Sequence, residues 1–332
     1  MPDYRRIIEE RERQTLSPYA ALSAETRGRE YPIDPCPVRT AFVRDRDRII
    51  HCKSFRRLKH KTQVFLSPVG DHYRTRLTHT LEVAQIARTI ARGLLLNEDL
   101  TEAIAMGHDL EHTPFGHSGE SVLNRIVPGG FEHNKQSLRI VEKLENGKGL
   151  NLTFEVRDGI LNHKKSGHPS TLEGVVVSLA DRIAYVNHDI DDAVRAGLLS
   201  NDILPKSCIE AIGATHGERI NTLVLDILQT SSGKNHVEMS GEISSEFEKL
   251  RQFLFDNLYH DSAAKAEEGK AEGVIERLYY HYLKHVSELP PEFTKYIDED
   301  GPNRIAADYI ACMTDRYAVR DYTRLFVPAD WA

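Results

Sequence analysis

A helical repeat of apolar side chains between residues 77 and 95 constrains the fold of this chain more than any other feature. Apolar residues recur there at positions 77, 81, 83, 84, 86, 87, 90, 91, 94 and 95, which places them on one stripe of an α-helix. Helical patterns also cover 99–112, 151–162 and 171–196, and a further helix is expected to begin near Gly116. Few segments alternate with the period of two that half-buried strands require. The sequence therefore predicts an all-α fold, with strands as a minor component at most.

Two polar stretches are expected to be loops or linkers between C-terminal helices. Residues 230–246 are rich in Gly and Ser, and residues 261–273 are small and charged, and both compositions favour irregular structure. We therefore divide the chain provisionally into an N-terminal segment (1–34), a helical core (35–200) and a C-terminal helical region packed on that core (201–332).

The composition excludes several classes of protein. The chain has 332 residues, and 43 Lys and Arg against 50 Asp and Glu give a net charge of −7, so any attraction to nucleic acid must come from a local basic surface. No apolar run approaches the roughly 18 residues of a membrane span, and the first residues are too charged for a secretory signal. Four cysteines without CxxC spacing favour a reducing compartment and a cytoplasmic protein: Cys36, Cys52, Cys208 and Cys312.

The distribution of histidine gives the first indication of chemistry. Seven of the 16 histidines lie between His60 and His133. His79 falls on the apolar face of its predicted helix, since it lies four residues before Val83 and seven before Ile86. A single histidine in such a place is more often a hydrogen-bonded core residue than a metal ligand. His79 alone is therefore not evidence for a metal site.

Three further side chains favour metal binding. His108 and Asp109 are consecutive and would point about 100° apart on a helix, so both can hold one ion only at the edge between them. Asp181 has Val177 and Ala184 as helical neighbours, and a carboxylate on an apolar face needs a cation or several donors. A surface position for Asp109 and an interhelical salt bridge for Asp181 are the ordinary alternatives for each residue alone.

Together, His79, His108, Asp109 and Asp181 form a pattern with separations of 29, 1 and 72 residues. This pattern resembles the HD-domain superfamily of metal-dependent phosphohydrolases, which implies a helical HD-domain core with additional C-terminal helices. The surrounding segments are similar to deoxynucleoside triphosphate (dNTP) triphosphohydrolases of the bacterial dGTPase-like group: YRTRLTHTLEVAQIAR (73–88), HDLEHTPFGHSGE (108–120), FEHNKQS (131–137) and SLADRIAYVNHDIDDA (178–193).

The resemblance implies that these four side chains bind one divalent metal ion. Two imidazole nitrogens and two carboxylate oxygens leave coordination positions open for water and phosphate, where a metal polarises a phosphoryl oxygen and lowers the pKa of bound water. Oxygen ligands and phosphate favour Mg²⁺ or Mn²⁺, while the imidazoles also accept Fe, Ni or Zn.

A second set of residues is predicted to perform catalysis at the phosphates. Glu120 lies three residues after His117 and can reach its imidazole if the segment is helical; such a carboxylate fixes the tautomer and raises the basicity of the ring. The resemblance implies that this pair transfers protons. It also implies that His112, placed on the helical face of His108, and His133 contact phosphates or the leaving group. Polar residues at helix ends are the ordinary alternative.

The remaining candidates concern substrate binding. Arg76, one helical turn before the first metal ligand, matches a family arginine that contacts phosphate, and a triphosphate needs such cations. Gln63 matches a glutamine that bonds the 3′-hydroxyl of the sugar. Asp181, Tyr185 and Asp189 follow one helical stripe, so Tyr185 can pack where a 2′-hydroxyl would clash and Asp189 can accept from the 3′-hydroxyl. Core packing is the ordinary alternative for Tyr185.

One residue departs from the family pattern. Glu111 stands where the family usually has Gly, between Leu110 and His112. Its side chain either faces solvent or crowds the cleft with negative charge beside an anionic substrate. This departure bears on the level of activity rather than on the fold.

A basic run lies upstream of the histidine cluster. Residues 44–61 contain eight Lys and Arg, most of which fit an ordinary solvated face. Arg57 and Lys61 are spaced to share a face and can contribute to the polyphosphate cleft. The run is also a candidate site for a nucleotide effector or for weak binding of single-stranded nucleic acid, since members of the resembled family are often homo-oligomers with such sites.

The sequence therefore predicts a metal-dependent dNTP triphosphohydrolase that cleaves at the α-phosphate and releases a deoxynucleoside and triphosphate. Two alternatives stay open. One is an HD-type nucleotide phosphatase or phosphodiesterase, which would use the same ligands without a triphosphate pocket. The other is a weakly catalytic regulator that binds dNTPs or nucleic acid, favoured by Glu111 and the basic run.

Overall fold

The computed structural model describes residues 3–62, 74–195, 197, 199–200, 203–258 and 262–328. Within these residues the regular structure is helical, and the β-type pairings are two isolated bridges, Arg29 with Thr153 and Thr62 with Thr75. The all-α prediction is therefore confirmed. None of the helices in these ranges has both the length and the apolar character needed to cross a bilayer.

The α-helices of the described residues are, in chain order, α1 Tyr4–Thr15, α2 Ala41–Ile50, α3 Lys53–Arg57, α4 Arg76–Gly93, α5 Glu98–Gly107, α6 Gly116–Ile126, α7 His133–Arg139, α8 Phe154–Asn162, α9 Leu172–Arg195, α10 Lys206–Ile212, α11 His216–Ser231, α12 Gly241–Leu258, α13 Ser262–Lys284, α14 Pro291–Thr294, α15 Ile297–Ala311 and α16 Asp315–Phe326. Short 3₁₀ turns occupy Ser23–Glu25, Leu58–His60, Glu145–Gly147 and Val286–Glu288, and a π-helical turn follows α7 at Ile140–Leu144.

The helix predicted over 99–112 ends five residues early, so that part of the prediction is wrong. Helix α5 stops at Gly107, and a turn follows at residues 108–111. The Nδ1 atom of His108 lies 2.7 Å from the carbonyl oxygen of Ala105, so the imidazole bonds a backbone carbonyl that the next helical turn would use. His108 and Asp109 are therefore not consecutive helical residues, and the helical-face argument that related His112 to His108 does not hold.

The stretch 261–273, predicted to be loose, is helical from residue 262 onward, and that prediction is wrong. Helix α13 begins at Ser262 and continues to Lys284. Its Ala, Glu and Lys residues are strong helix formers, and this propensity outweighs the small size and charge that suggested a linker. The other stretch, 230–246, does contain a loop, between the end of α11 at Ser231 and the start of α12 at Gly241.

The chain folds into two compact units, each assembled from separate segments. The first is drawn from Met1–His51, His79–His108 and Leu150–Asp261, and the second from Cys52–Thr78, Asp109–Gly149 and Ser262–Ala332. The three-part division made from the sequence stays a prediction.

The core of the first unit forms around α5, which packs against α2, α8 and α9. Helices α5 and α8 approach closely because each presents a glycine to the other. A Cβ atom at Gly107 would lie 2.6 Å from the Ile160 side chain, and one at Gly159 would lie 2.5 Å from Ile104. This close packing sets the position of His108, the residue that follows α5.

The core of the second unit is an apolar cluster contributed by α6, α13, α15 and α16. Val122 and Leu123 of α6 pack into it with Leu278 of α13 and Ile310 of α15, all fully buried. The cluster anchors α6, whose first turn carries His117 and whose second carries Glu120.

Candidate active site

Three of the four predicted metal ligands converge in the first unit. His79 lies on α4, His108 follows α5, and Asp181 lies on α9. The Asp181 Oδ1 atom is 3.1 Å from His79 Nε2 and 3.7 Å from His108 Nε2. One ligand atom from each of the three residues falls within 4.8 Å of the others. Two imidazoles and a carboxylate at this spacing suit a divalent metal ion.

His108 has one ring nitrogen already engaged. The carbonyl oxygen of Ala105 can only accept a hydrogen bond, so the His108 Nδ1 atom at 2.7 Å carries the proton in a neutral ring. The lone pair of Nε2 is then directed toward Asp181. This arrangement, in which a backbone group fixes the tautomer, is common among histidines that ligate metals.

His163 is a neighbour of this cluster for which the sequence predicted no role. Its ring packs edge-on against His108, with centroids 5.1 Å apart, and its Nδ1 atom lies 2.8 Å from the carbonyl oxygen of Ile160. The signal in the sequence is its place directly after a predicted helix, where polar residues are common. His163 is nearly fully buried, so it forms part of the wall behind the cluster.

The pKa of the Asp181 carboxyl is held below its usual range. Burial alone would raise that pKa, but a hydrogen bond with His79 and the electrostatic influence of His108 outweigh it. Asp181 is therefore an ionised carboxylate at neutral pH, the form that a metal ligand requires.

The fourth predicted ligand, Asp109, belongs to the second unit, where it is buried and paired with Arg76. The pair uses Nη1 of the arginine. The Nε and Nη2 atoms of Arg76 are buried without a hydrogen-bond partner among the described residues. A buried guanidinium that keeps unused donors is a strong candidate for binding an anion such as phosphate.

Glu120 is the centre of a second cluster, formed with three histidines of the second unit. Its carboxylate lies 2.9 Å from His133 Nδ1, 3.5 Å from His112 Nε2 and 3.6 Å from His117 Nδ1. It also accepts the backbone N–H of His133 at 2.9 Å. Burial would raise its pKa, but hydrogen bonds with His117 and His133 together hold the pKa below the usual range. Glu120 is thus a carboxylate surrounded by imidazoles.

His112 is the most deeply buried histidine of this second cluster. It is 1% exposed, and within the part of the chain that the structure describes neither ring nitrogen has a hydrogen-bond partner. Burial lowers the pKa of His112 well below its usual value, and the positive charge of Arg76 adds to the effect. The ring stacks on His133 with centroids 4.8 Å apart. A neutral imidazole held in this way can donate one hydrogen bond to an entering ligand.

The predicted pair of His117 and Glu120 is present at 3.6 Å, although His133 lies closer to the carboxylate. The His117 side chain is 80% exposed, whereas that of His133 is 10% exposed. His117 therefore keeps access to solvent, and His133 is the histidine that lies closest to the Glu120 carboxylate.

The structure describes two of the three residues that were predicted to contact the sugar. Tyr185 and Asp189 both lie on α9 of the first unit, one and two turns beyond Asp181. Tyr185 is half-buried, and burial raises its pKa to about 12 although Arg251 opposes the change. Asp189 is buried. Gln63 lies outside the described residues.

Glu111 neither faces solvent nor carries an uncompensated charge, so both expectations for it need correction. Its carboxylate is fully buried between two cations of the same unit: Lys61 Nζ at 2.8 Å and Arg57 Nη2 at 3.0 Å. Lys61 uses its other two protons on the carbonyl oxygens of His112 (2.6 Å) and Ala311 (2.8 Å).

The same contacts correct the prediction that Lys61 contributes to the polyphosphate cleft, because all three protons of its ammonium are taken by internal acceptors. Arg57 bonds Glu111 and Ser54 through Nη2, and its Nε atom is buried without a hydrogen-bond partner among the described residues. A contribution of Arg57 to the polyphosphate cleft therefore stays a prediction. A partner for Glu111 fifty residues earlier in the chain could not be read from a single sequence.

Comparisons with known proteins agree with this architecture. Residues 76–186 match the family model described as HD domain, and residues 237–324 match the model described as phosphohydrolase-associated domain. The chain is 60% identical over 98% of its length to a deoxyguanosinetriphosphate triphosphohydrolase-like protein of Caldanaerobacter subterraneus, covering 97% of that protein. It is 51% identical to a protein of the same description from Clostridium perfringens, with 98% of each chain covered.

A solved structure supports the fold alone. A phosphohydrolase from Bacteroides thetaiotaomicron superposes with a TM-score of 0.53 at 17% sequence identity, covering 84% of this chain and 68% of that one.

Proposed function

Because the chain belongs to the family of HD-domain deoxyguanosinetriphosphate triphosphohydrolase-like proteins, we propose that it is a metal-dependent dNTP triphosphohydrolase. At the coarser level the family makes it a phosphohydrolase. The observation that carries the proposal is the convergence of His79, His108 and Asp181 on one point, with ligand atoms of the types that HD-domain enzymes use. Under the proposal the products are a deoxynucleoside and inorganic triphosphate.

The residues of the first cluster fit the metal that this chemistry needs. His79, His108 and Asp181 would hold it, and Asp109 is proposed as the fourth ligand on the sequence pattern. When bound, a divalent metal such as Mg²⁺ or Mn²⁺, or alternatively Fe, Ni or Zn, supplies Lewis acidity at a phosphoryl oxygen and a more acidic water. The ionised state of Asp181 matches this role.

Arg76 and His112 are proposed to bind the phosphates. Both are buried in the second unit, and both have ring or guanidinium nitrogens without a partner among the described residues. Buried donors left without acceptors are costly, so a site that carries several of them is built for a ligand with many acceptor oxygens. A triphosphate with about four negative charges is such a ligand. His133, stacked on His112, is proposed to contact the leaving group or a phosphate.

His117 is proposed to transfer the proton that the reaction requires. Water attacks the α-phosphorus and gives up one proton, the bond from phosphorus to the 5′-oxygen breaks, and the 5′-oxygen gains one proton to leave as a neutral hydroxyl. His117 is exposed enough to deliver it, and Glu120 orients the ring and stabilises its protonated form.

Selection for deoxyribose is proposed to rest on α9. Tyr185 would exclude a 2′-hydroxyl by contact, while Asp189 and Gln63 would bond the 3′-hydroxyl. A hydroxyl that finds a built acceptor gives strong discrimination, whereas steric exclusion of one hydroxyl gives less. We therefore expect the 3′-hydroxyl to contribute more to binding than the absence of the 2′-hydroxyl.

The test is to identify the products formed from each dNTP with Mn²⁺ in H₂¹⁸O. The proposal predicts a deoxynucleoside and inorganic triphosphate, with the label in the triphosphate, because attack at phosphorus places the water oxygen there. The Asp181→Asn variant is the inactive control, and the matching ribonucleotides test the role of Tyr185.

Two other outcomes would replace the proposal. Orthophosphate released from nucleoside monophosphates, without triphosphate from dNTPs, would identify an HD-type phosphatase or phosphodiesterase. Binding of dNTPs without turnover would identify a regulator. The internal neutralisation of Glu111 removes one of the two reasons for the regulator. Homo-oligomerisation, a nucleotide effector, binding of single-stranded nucleic acid and a cytoplasmic location stay predictions.

A further inference from the structure

His79 directs its two ring nitrogens to different partners within the first unit. Its Nε2 atom lies 3.1 Å from Asp181, on the side of the proposed metal. Its Nδ1 atom lies 3.4 Å from the Nδ1 atom of His188, and the two rings meet edge-on at an interplanar angle of 87°. His188 is 1% exposed and lies on α9, two helical turns after Asp181.

The contacts continue from His188 to a carboxylate. Its Nε2 atom pairs with Glu82, which lies on α4 one turn after His79. The order of contacts is thus Asp181, His79, His188, Glu82, with two members on each helix. Because each pair is spaced to share a helix face, the two helices bring all four side chains together without any loop residue.

This order of contacts fits binding of a metal through Nε2 of His79. A metal at the first cluster would take the lone pair of Nε2, so the ring proton of a neutral His79 would then lie on Nδ1, which faces Nδ1 of His188. With Nδ1 of His188 accepting that proton, the proton of a neutral His188 lies on Nε2, beside the carboxylate of Glu82. Without a metal, the Asp181 carboxylate can instead accept a hydrogen bond from Nε2 of His79. The neighbouring ligand His108 has its proton held on Nδ1 by the carbonyl oxygen of Ala105.

We propose that Glu82 and His188 are positioning residues that hold His79 as an Nε2 metal ligand. The inference rests on the proposed function only in requiring a metal at the first cluster. It assigns a task to two buried or half-buried polar residues that neither the ligand set nor the proposed phosphate contacts use. Residues that support metal ligands in this way typically change metal affinity by about 10–100-fold when they are replaced.

The test measures binding of Mn²⁺ alone by equilibrium dialysis. Glu82→Ala removes the acceptor, and Glu82→Gln keeps an accepting oxygen without the charge. His188→Gln removes the connecting ring. The control is Gln85→Ala on the exposed side of the same helix, where the side chain bonds only Thr89 among the described residues. We expect Glu82→Ala and His188→Gln to weaken Mn²⁺ binding by about 10–100-fold, Glu82→Gln to weaken it less, and Gln85→Ala to leave it unchanged.

A second readout separates positioning from a merely structural role. In protein loaded with diamagnetic Zn²⁺ and labelled with ¹⁵N-histidine, long-range ¹H–¹⁵N spectra report the tautomer of His79, with the signal assigned by its loss in His79→Asn. We expect the Nδ1–H form in the wild-type protein and a mixture in Glu82→Ala. A structural role alone would lower the melting temperature and leave both the tautomer and the Mn²⁺ affinity unchanged.

The outcomes distinguish the inference from the proposed function. Wild-type affinity for Mn²⁺ in a folded Glu82→Gln and a folded His188→Gln, or an Nε2–H tautomer in the wild-type protein, would overturn the inference and leave the proposed function standing. If the wild-type chain itself bound no Mn²⁺, the inference and the proposed function would fail together.

Discussion

The two candidate clusters share one arrangement and differ in how their ring nitrogens are used. Each places a carboxylate among imidazoles: Asp181 in the first unit and Glu120 in the second. In the first cluster, Nδ1 of His79 and Nδ1 of His108 each have an internal partner. In the second, His112 has no hydrogen-bond partner among the described residues, and His117 is largely exposed.

This difference suits the first cluster to metal binding and the second cluster to substrate binding and proton transfer. A ring with one nitrogen engaged can present the other in a single direction, which suits a metal ligand. A ring without an internal hydrogen bond keeps its capacity for an entering phosphate or for a proton, which suits catalysis. The comparison predicts that changes in the first cluster remove metal and activity together, whereas changes in the second remove activity alone.

The largest effect is expected from Asp181→Ala. Loss of this side chain removes the negatively charged ligand of the first cluster, so Mn²⁺ binding should be abolished. Turnover of dNTPs should fall on the order of 10³-fold or more, because a bound metal supplies several kcal/mol of transition-state stabilisation. Metal content by mass spectrometry and release of triphosphate measure the two effects. Asp191→Asn, on the same helix, is the control and should retain both.

The next effect is expected from His117→Ala, which should keep the metal and lose turnover. A positioned general acid typically contributes about 10²–10⁴-fold to a rate, so kcat should fall within that range while Mn²⁺ affinity stays at the wild-type value. His236→Ala, an exposed histidine between α11 and α12, is the control. Normal hydrolysis of dNTPs by His117→Ala would show that the proton-transfer assignment is wrong and would favour His133 as the partner of Glu120.

A smaller effect, on stability, is expected from Lys61→Met. The change leaves the buried carboxylate of Glu111 with Arg57 as its remaining cation, and breaking a buried pair costs about 3–5 kcal/mol. The free energy of unfolding, measured in urea, should fall by that order. The exposed Lys59→Met should change it by less than about 0.5 kcal/mol. The double variant Lys61→Met/Glu111→Gln should recover part of the loss; no recovery would mean that Lys61 acts mainly through its bonds to the His112 and Ala311 carbonyls.

The smallest effect concerns a buried carboxylate that has no imidazole beside it among the described residues. Burial raises the pKa of Glu173 to about 7, although the backbone N–H groups of Asn97 and Ala21 oppose the shift. Asp181 and Glu120 are partly buried, yet neighbouring imidazoles hold their pKa values low, whereas for Glu173 burial is the largest influence.

The sign of the pH effect follows from the raised pKa of Glu173. The folded protein binds this proton more tightly than the unfolded chain, so the stabilisation is complete below about pH 4.5 and is lost as the pH rises through about 7. Between those limits the wild type should lose up to about 3 kcal/mol relative to Glu173→Gln, measured by urea unfolding of metal-free protein. A difference between the two proteins that does not vary with pH would contradict the raised pKa.

Much of the helical fold could be predicted because its signals are local. Apolar periodicity located α4 and α9 to within two residues at either end, and the start of α6 at Gly116 was predicted correctly. The end of α5 could not be predicted, because the bond between His108 and the Ala105 carbonyl depends on how the side chain turns after the helix. The helix at 262–284 did not follow from the polar composition of 261–273, because the helix propensity of Ala, Glu and Lys outweighs that composition.

The residues of the candidate site could be predicted where they follow a sequence pattern. They could not be predicted where a side chain pairs with a residue far away in the sequence. His79, His108 and Asp181 follow from spacing and resemblance, and the structure brings their ligand atoms together. Glu111 pairs with Lys61, which lies 50 positions earlier in the sequence, and no local sequence pattern predicts this pairing. The sequence does carry a signal for Glu82 and His188, since each is spaced to share a helix face with a predicted metal ligand.

Anomalous diffraction from a crystal soaked in Mn²⁺ tests the central claim most directly. We predict one strong peak within about 2.0–2.3 Å of His79 Nε2, His108 Nε2 and an Asp181 oxygen, and its loss in Asp181→Ala. A Mn²⁺ ion bound elsewhere, with no density between these three residues, would contradict the assignment of a metal centre to the first cluster and the phosphohydrolase mechanism built on it.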